Sequence, residues 1–265
     1  MGFALLLCAM WPADAAAQLK IGGRKLNTGK LLEAGKDVAK AVTLSDKDIA
    51  DLSREAVEWM DANNPIADET TEYGARLKRL TEGITEINGL PLNFKVYHVV
   101  DVNAFACGDG SIRVFSALMD LMDDDELMAI IGHEIGHVVH ADVKHAMKNA
   151  YLSSAARNAA GAAEGSTLAK LSDSQLGEVV TAFTGAQFSQ KQEYAADEYG
   201  FEFSVKNGFS PYGMANSLDK LVELSKGAKA STVQKMFSSH PDSEKRAARM
   251  KEKADAYMAA QRQNR

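Results

Sequence analysis

The sequence has little cysteine and proline, few aromatic residues and no long apolar run in its interior. Two cysteines and five prolines among 265 residues exclude a disulfide scaffold and a collagen-like chain. Beyond the N-terminus, no stretch approaches the roughly 20 apolar residues that a membrane-spanning helix needs. The 30 basic residues are outnumbered by 36 acidic ones, which argues against a nucleic-acid-binding protein. The hydrophobic fraction of 46% is enough for a sizeable core and excludes intrinsic disorder.

The N-terminus has the pattern of a secretory signal peptide. An apolar run over residues 3–11 is followed by small residues in an A-x-A pattern. The sequence therefore predicts a signal peptide over residues 1–17, cleaved after Ala15 or Ala17, and a periplasmic mature protein. Only two residues precede the apolar run, so the basic segment that is usual there is missing. The alternatives that stay open are a lipid anchor on Cys8 and an uncleaved or cytoplasmic N-terminus.

The rest of the chain is predicted to be mainly α-helical with one small sheet, an α+β fold class. Residues 18–44 are predicted to be an N-terminal linker or helix, and residues 45–265 a single domain. Apolar periodicity and capping residues predict these helices: 45–63, 70–88, about 123–150, a packed Ala/Gly-rich stretch at 155–165, 172–186, 189–207, 211–226 and 242–262. Three strands are predicted at 93–100, 103–107 and 111–115, the last two joined by a hairpin turn. Cys107 is predicted to be a small buried residue without a disulfide partner.

The most informative segment is Gly132–His137, which contains the pattern H-E-x-x-H. Residues four apart on a helix share one face, so His133 and His137 can bind one ion. Glu134 lies beside that face and can reach a water on the ion without being a ligand. A zinc ion lowers the pKa of such a water toward about 7, and the carboxylate takes its proton during attack on a carbonyl. Gly136, inside the helix, indicates close approach by either the sheet or a substrate.

Two histidines leave a zinc site incomplete, and the third ligand defines the class of peptidase. The metzincin pattern requires a histidine at position 143, where this chain has Val143. A gluzincin takes a glutamate from a later helix, and Glu193 and Asp197 lie on one face of such a predicted helix. In one interpretation Glu193 binds zinc and Asp197 accepts a hydrogen bond from a ligand histidine. In the other, both belong to a solvated acidic face with Glu202.

Three motifs together resemble a known family, the CAAX prenyl protease-like gluzincins with their HtpX, Oma-type and BepA relatives, and in particular its LoiP-type periplasmic metalloproteases. They are His133-Glu134-Ile135-Gly136-His137, Glu193-Tyr194-Ala195-Ala196-Asp197 and Ser239-His240-Pro241. The resemblance covers nearly the whole mature chain and implies a zincin-like catalytic domain with one Zn²⁺ per chain. It implies that His133, His137 and Glu193 bind zinc and that Glu134 is the general base. It also implies that Asp197 supports His133, and that a substrate binds along the strand with Asn103, Ala104 and Phe105.

Two further residues match positions of this family. By resemblance, His240 is a catalytic residue that donates to the oxyanion of the reaction. Its alternatives are a fourth zinc ligand that holds the enzyme latent and a helix-capping loop before Pro241. Arg246 matches an arginine of the family and is expected to pair with a carboxylate of the site. Many relatives have a histidine at the position of Asp142, whereas this chain has His140 instead.

The predicted function is that of a zinc-dependent endopeptidase of the bacterial cell envelope. The motif predicts the chemistry, and the resemblance implies unfolded or misassembled proteins as substrates, in a role in protein quality control. It also implies peripheral association with an envelope membrane or membrane-protein complex, and no nucleic acid is expected as a partner. Two alternatives stay open: an envelope chaperone or scaffold with little proteolysis, and another gluzincin such as an aminopeptidase. The intact Glu134 argues against a chaperone or scaffold with little proteolysis. The sequence has no signature for binding a substrate amino terminus, which argues against an aminopeptidase.

Overall fold

The computed structural model describes residues 19–21, 24–26, 44–161, 171–226, 234, 236, 238–241 and 243–263, with the backbone alone for 19–21, 24–26 and 156–161. The predicted signal peptide, with Cys8 and the predicted cleavage sites, lies outside these residues, as does most of the predicted linker. In the described part of that linker, strands β1 (Leu19–Ile21) and β2 (Arg24–Leu26) pair in antiparallel orientation.

Helices dominate the described residues, and the predicted α+β fold class is confirmed. The helices are α1 (Asp46–Asn63), α2 (Glu72–Leu80), α3 (Ser116–Leu121), α4 (Asp124–Val139), α5 (Asp142–Gly161), α6 (Asp173–Thr184), α7 (Gln190–Lys206), α8 (Gly213–Lys226) and α9 (Ser243–Gln263). The remaining strands are β3 (Ile66–Ala67), β4 (Glu86–Ile87), β5 (Leu90–Pro91), β6 (Asn93–Tyr97), β7 (Ala104–Ala106) and β8 (Ser111–Phe115). Within the described ranges, every helix is too short or too polar to cross a bilayer.

The main sheet contains the three predicted strands and one more. Its strand order is β3-β6-β8-β7, in which the two-residue strand β3 is the addition. Strands β7 and β8 form the predicted hairpin, with Ala104 opposite Val114, whereas β6 runs parallel to β8. Strand β7 is therefore the last strand on one side of the sheet, and it packs beside helix α4.

The helix predicted over residues 70–88 is shorter than expected. It ends at Leu80, and residues 86–91 instead form a hairpin of β4 and β5. The turn residues Asn88 and Gly89 have φ angles of 51° and 77°. Positive φ angles at both positions are what an Asn-Gly hairpin turn requires and what a helix excludes. The Asn-Gly pair lies at the end of the predicted helix and forms the turn between β4 and β5.

The long helix predicted over residues 123–150 is broken into α4 and α5. The break is at Ala141, whose φ of 62° is left-handed and incompatible with a continuous helix. The chain turns there, so that Asp142, the first residue of α5, faces back toward His137 of α4. The other predicted helices agree with α1 and α6 to α9 to within two residues at each end. Helix α5 covers the predicted Ala/Gly-rich stretch as far as Gly161, and residues 162–165 lie outside the described part.

Helix α4 lies inside the largest hydrophobic cluster. It begins with a capping box between Asp123 and Glu126, which places negative charge at its N-terminus. Every residue from Glu126 to Val138 is buried, between the sheet on one side and helices α7 and α8 on the other. Cys107 is buried in a neighbouring cluster, as predicted, and is a free cysteine within the described residues. The polar residues of the H-E-x-x-H segment are thus held away from bulk water.

Small residues let helix α7 approach helix α4 closely. A Cβ atom on Gly136 would lie 3.1 Å from the Cα of Ala196, and one on Gly132 would lie 3.1 Å from the Cα of Gly200. The expected close approach at Gly136 is confirmed, and the element that makes it is helix α7 rather than the sheet or a substrate. The contact sets Glu193 and Asp197 of α7 against the histidines of α4.

Substitution of Gly200 by alanine is expected to force the two helices apart. The new Cβ would lie 2.8 Å from the carbonyl oxygen of Ala129 and 2.9 Å from the backbone nitrogen of His133. Because backbone atoms cannot move aside, we expect Gly200→Ala to destabilise the fold by about 1–3 kcal/mol and to weaken metal binding.

The matched control is Gly177→Ala in helix α6, where the nearest atom to the new Cβ belongs to the Trp59 ring, 3.3 Å away. This substitution is expected to be neutral or to stabilise by up to about 1 kcal/mol through helix propensity. Urea unfolding and metal titration of both variants measure the difference. Equal stability of the two variants would contradict a close contact at Gly200.

Candidate active site

Four buried side chains converge from three parts of the fold. His133 and His137 come from α4, Glu193 from α7, and His240 from the turn before α9. Their donor atoms all lie within 4.8 Å of one another. His133 Nε2 is 3.1 Å from His137 Nε2 and 3.3 Å from His240 Nδ1. Glu193 Oε1 is 3.3 Å from His137 Nε2 and 3.1 Å from His240 Nδ1.

This donor set fits a zinc ion. Three imidazole nitrogens and one carboxylate oxygen are ligands that Zn²⁺ takes in four-coordinate sites. Their convergence needs a reason, because histidine rings packed this closely repel one another when charged. One divalent cation among the four donors supplies that reason, and the cluster can hold one Zn²⁺.

Glu134 lies beside the cluster and outside it. Its Oε1 is buried and has no hydrogen bond among the described residues. The nearest ring nitrogen, His240 Nε2, is 3.7 Å away, beyond hydrogen-bond distance. A carboxylate oxygen in this state is free to bind a group that enters the site.

Asp197 of α7 and Arg246 of α9 form hydrogen bonds and ion pairs with residues of the cluster. Asp197 Oδ1 accepts a hydrogen bond from His133 Nδ1 at 2.9 Å. Arg246 donates to both carboxylate oxygens of Asp197, at 2.6 and 2.8 Å, and forms an ion pair with Glu193. Burial alone would raise the pKa of Asp197, but the hydrogen bonds from Arg246 and His133 outweigh it and lower the pKa. The ring of His133 is thereby oriented with Nε2 toward the cluster.

A second set of contacts, around His137, was not found from the sequence. Asp142 Oδ2 accepts from His137 Nδ1 at 2.9 Å, and Gln192 donates to the other oxygen of Asp142 at 2.7 Å. The Phe188 ring stacks on the His137 ring with centroids 4.0 Å apart. Burial opposes a charged His137, but the hydrogen bonds to Asp142 and Glu193 outweigh it and raise its pKa to about 9. In the sequence, Asp142 is an acidic residue five positions after His137. On a continuous helix, residues five apart lie on different faces, so this contact was not expected.

The edge of the sheet and the cluster form the two sides of a cleft. The cavity there is lined by β7 and by Glu134, Phe188 and His240. Asn103, at the start of β7, is buried, and its side-chain Oδ1 has no hydrogen bond within the described residues. Phe105 is partly buried, and its ring lies edge-to-face with the ring of Phe183, which also lines the cleft. The structure thus brings the predicted substrate strand next to the predicted base.

The fold and the buried donor cluster are those of a zincin-like metallopeptidase. Comparison with known proteins then gives the family. Residues 73–254 match the family model described as Peptidase family M48. The chain belongs to this family.

The relatives that the chain resembles are proteases. It is 40% identical over 249 residues to Metalloprotease LoiP of Escherichia coli (strain K12), covering 94% of this chain and 97% of that protein. It is 37% identical over 229 residues to Metalloprotease YcaL of the same organism, covering 86% of this chain and 88% of that protein. The beta-barrel assembly-enhancing protease of E. coli (strain K12) is 29% identical over 175 residues, with 62% of this chain and 35% of that protein covered. The family resemblance and the enzyme class, a metalloendopeptidase, are confirmed.

Proposed function

We propose that this chain is a zinc-dependent endopeptidase of the bacterial cell envelope, with His133, His137 and Glu193 as zinc ligands and Glu134 as general base. The observation that carries the proposal is the place of Glu134. Its buried Oε1 has no hydrogen bond in the described structure and lies beside the donor cluster. Since a buried carboxylate oxygen is costly to leave without a partner, this position suits a reacting water and a substrate amide.

The chain's own residues divide the chemistry between them. Zinc bound at the cluster supplies Lewis acidity and lowers the pKa of a water. Glu134 Oε1 accepts a proton from the attacking water and returns it to the leaving amine. Asp197 and Asp142 accept the Nδ1 hydrogens of His133 and His137, so both rings present Nε2 to the same point.

The substrate binds as an extended chain along β7. Its main chain adds to the outer edge of this strand, and Asn103 Oδ1 accepts from a substrate amide. Binding through main-chain hydrogen bonds depends little on sequence but requires an unfolded segment. Unfolded or misassembled proteins are therefore the substrates that this edge suits.

His240 is proposed as a fourth zinc ligand in the resting enzyme. Its Nδ1 is 3.1 Å from Glu193 Oε1 and 3.3 Å from His133 Nε2. Both distances are shorter than the 3.8 Å between His133 Nε2 and Glu193 Oε2, two of the proposed ligand atoms. A ring inside the cluster favours this role over an oxyanion donor or a helix cap. In that position it excludes the water that Glu134 activates, so it must move before catalysis.

An envelope location rests on two observations. The pattern over residues 1–17 is that of a signal peptide, which directs export. One relative is named for enhancing β-barrel assembly, and β-barrel proteins of bacteria belong to the outer membrane. The proposed substrates are therefore misassembled envelope proteins, and the protein is proposed to associate peripherally with an envelope membrane.

Replacement of Glu134 by glutamine is expected to abolish cleavage while leaving zinc in place. The amide keeps the size of the side chain but cannot accept the proton, so digestion of casein should fall about 10²- to 10⁴-fold. Metal analysis should still find one zinc per chain. The control is Glu202→Gln on α7, whose side chain is 71% exposed, and it should digest casein at the unmodified rate. The proposal is contradicted if the Glu134 variant digests casein at the unmodified rate. It is also contradicted if the unmodified chain binds unfolded protein without cleaving it.

Replacement of His240 by alanine tests the resting-state ligand. If this ring occupies a coordination position, its removal exposes the site, and cleavage of a short peptide should rise several-fold with zinc content unchanged. A fall of about 100-fold with zinc retained would instead identify an oxyanion donor. Unchanged activity would leave His240 with a structural role only, and both results contradict the proposed latency.

Export is tested by sequencing the N-terminus of the protein recovered from the periplasmic and membrane fractions of the producing cells. The proposal expects a mature chain that begins at residue 16 or 18. Recovery of a chain that keeps residues 1–17 and lies in the cytoplasm would contradict the envelope location. A lipid on Cys8 would show that the protein is anchored to a membrane and is not cleaved after Ala15 or Ala17.

A further inference from the structure

A cavity larger than the active-site cleft adjoins it at Phe188. Ala186 and Phe188 line both spaces, and the Phe188 ring that stacks on His137 lies at the boundary between them. Most of the remaining wall comes from helix α5, so we call this space the α5 cavity. Its volume is about 340 Å³, within the range of about 300–1,000 Å³ that is usual for ligand sites. A chain that passes through the cleft and beyond Phe188 therefore enters a space large enough to bind it.

One wall of the α5 cavity is a polar stripe along the helix. His145, Asn149 and Ser153 are spaced four residues apart, so they follow one another on a single face of α5. All three are exposed. At a rise of 1.5 Å per residue the stripe is about 12 Å long, which is the length of about three or four residues of an extended chain. The stripe therefore suits an extended segment better than a single side chain.

Polar side chains in this wall are available to a guest. No described residue forms a hydrogen bond with the side chains of Asn149, Ser153 or Gln187. Each of these side chains can both donate and accept. Asp142 also lines the cavity, but both of its carboxylate oxygens are already hydrogen-bonded. A peptide main chain, with a donor and an acceptor on most residues, is the guest that such a wall matches.

We propose that the α5 cavity binds the main chain of a substrate segment that lies beyond Phe188, several residues from the scissile bond on one side of it. The inference rests on the proposed function, because it requires the scissile peptide to lie beside Glu134. Strand β7 has three residues and can pair with only a short part of an extended substrate. Hydrogen bonds in the cavity add contacts to the same chain without selecting its side chains. The cavity thus favours long unfolded segments over short peptides.

The test compares peptides of different length with the zinc-loaded full chain. A core peptide of about six residues carries the cleaved bond, and a Gly-Ser extension of about four residues is added to one end or the other. Contacts far from the reacting bond raise the rate, and two ordinary hydrogen bonds correspond to about tenfold in kcat/KM. We expect that gain from the extension at one end and little change at the other. Sarcosine in place of each glycine removes its N–H group and should abolish most of the gain.

Two substitutions fill the cavity and one serves as the matched control. Asn149→Trp places a large ring in the middle of the stripe and should remove the gain from the extension. Ser153→Trp, one turn further along α5, should remove less of it. The control is Thr181→Trp on α6, an exposed residue that does not line the cavity although its neighbour Ala182 does. This variant should keep the full gain, so that an unspecific effect of a surface tryptophan is told apart from a filled cavity.

Binding to the Glu134→Gln variant separates this inference from the proposed function. With zinc bound and cleavage abolished, fluorescence anisotropy of labelled peptides should show about tenfold tighter binding of the extended peptide than of the core. The inference alone is overturned by equal kcat/KM for the core and extended peptides. A gain that Asn149→Trp retains, or that Thr181→Trp loses to the same extent, also overturns it. Cleavage of the core peptide by the Glu134→Gln variant at the unmodified rate overturns the proposed function, and the inference with it.

Discussion

The short distance between helices α4 and α7 is the constraint on which the rest of the site depends. Gly132 and Gly136 on one helix face Gly200 and Ala196 on the other, and a methyl group on any of the three glycines would meet backbone or side-chain atoms at about 3 Å or less. Only at this distance can a glutamate of α7 share one ion with two histidines of α4. Glycine costs helix propensity at these positions, and the loss is offset by the contact that it allows.

The site also requires its charges to be arranged before a metal binds. Burial would raise the pKa of Glu193, but the charges and hydrogen bonds of His240 and His137 outweigh it and keep the pKa low. Burial likewise opposes a charge on Arg246, whose pKa is nevertheless raised by its hydrogen bonds and ion pairs with Asp197 and Glu193. The carboxylates therefore stay ionised in a buried place and favour a cation there. Zinc binding requires neutral imidazole, so it is expected to release a proton from His137.

The sequence predicted what is encoded by local spacing. The H-E-x-x-H pattern, the E-x-x-x-D pattern and the hairpin around residues 107–111 each lie within one helix or turn, and the structure contains all three elements. The break at Ala141 could not be predicted, because alanine favours helix, whereas its φ in the structure is left-handed. Asp142 was missed for the same reason, since its contact with His137 exists only after that break. Phe188 and Gln192 were given no role because their contacts, with His137 and Asp142, join segments that are far apart in the sequence.

The central claim is that one zinc ion lies between α4 and α7, bound by His133, His137 and Glu193, with Glu134 beside it and not bound to it. A crystal structure of the zinc-loaded protein with an anomalous difference map at the zinc edge tests this directly. The account predicts one zinc peak at about 2.0–2.1 Å from Nε2 of both histidines and at about 2.0–2.2 Å from the Glu193 carboxylate. A zinc bound by Glu134, or a peak away from the α4–α7 contact, would contradict it.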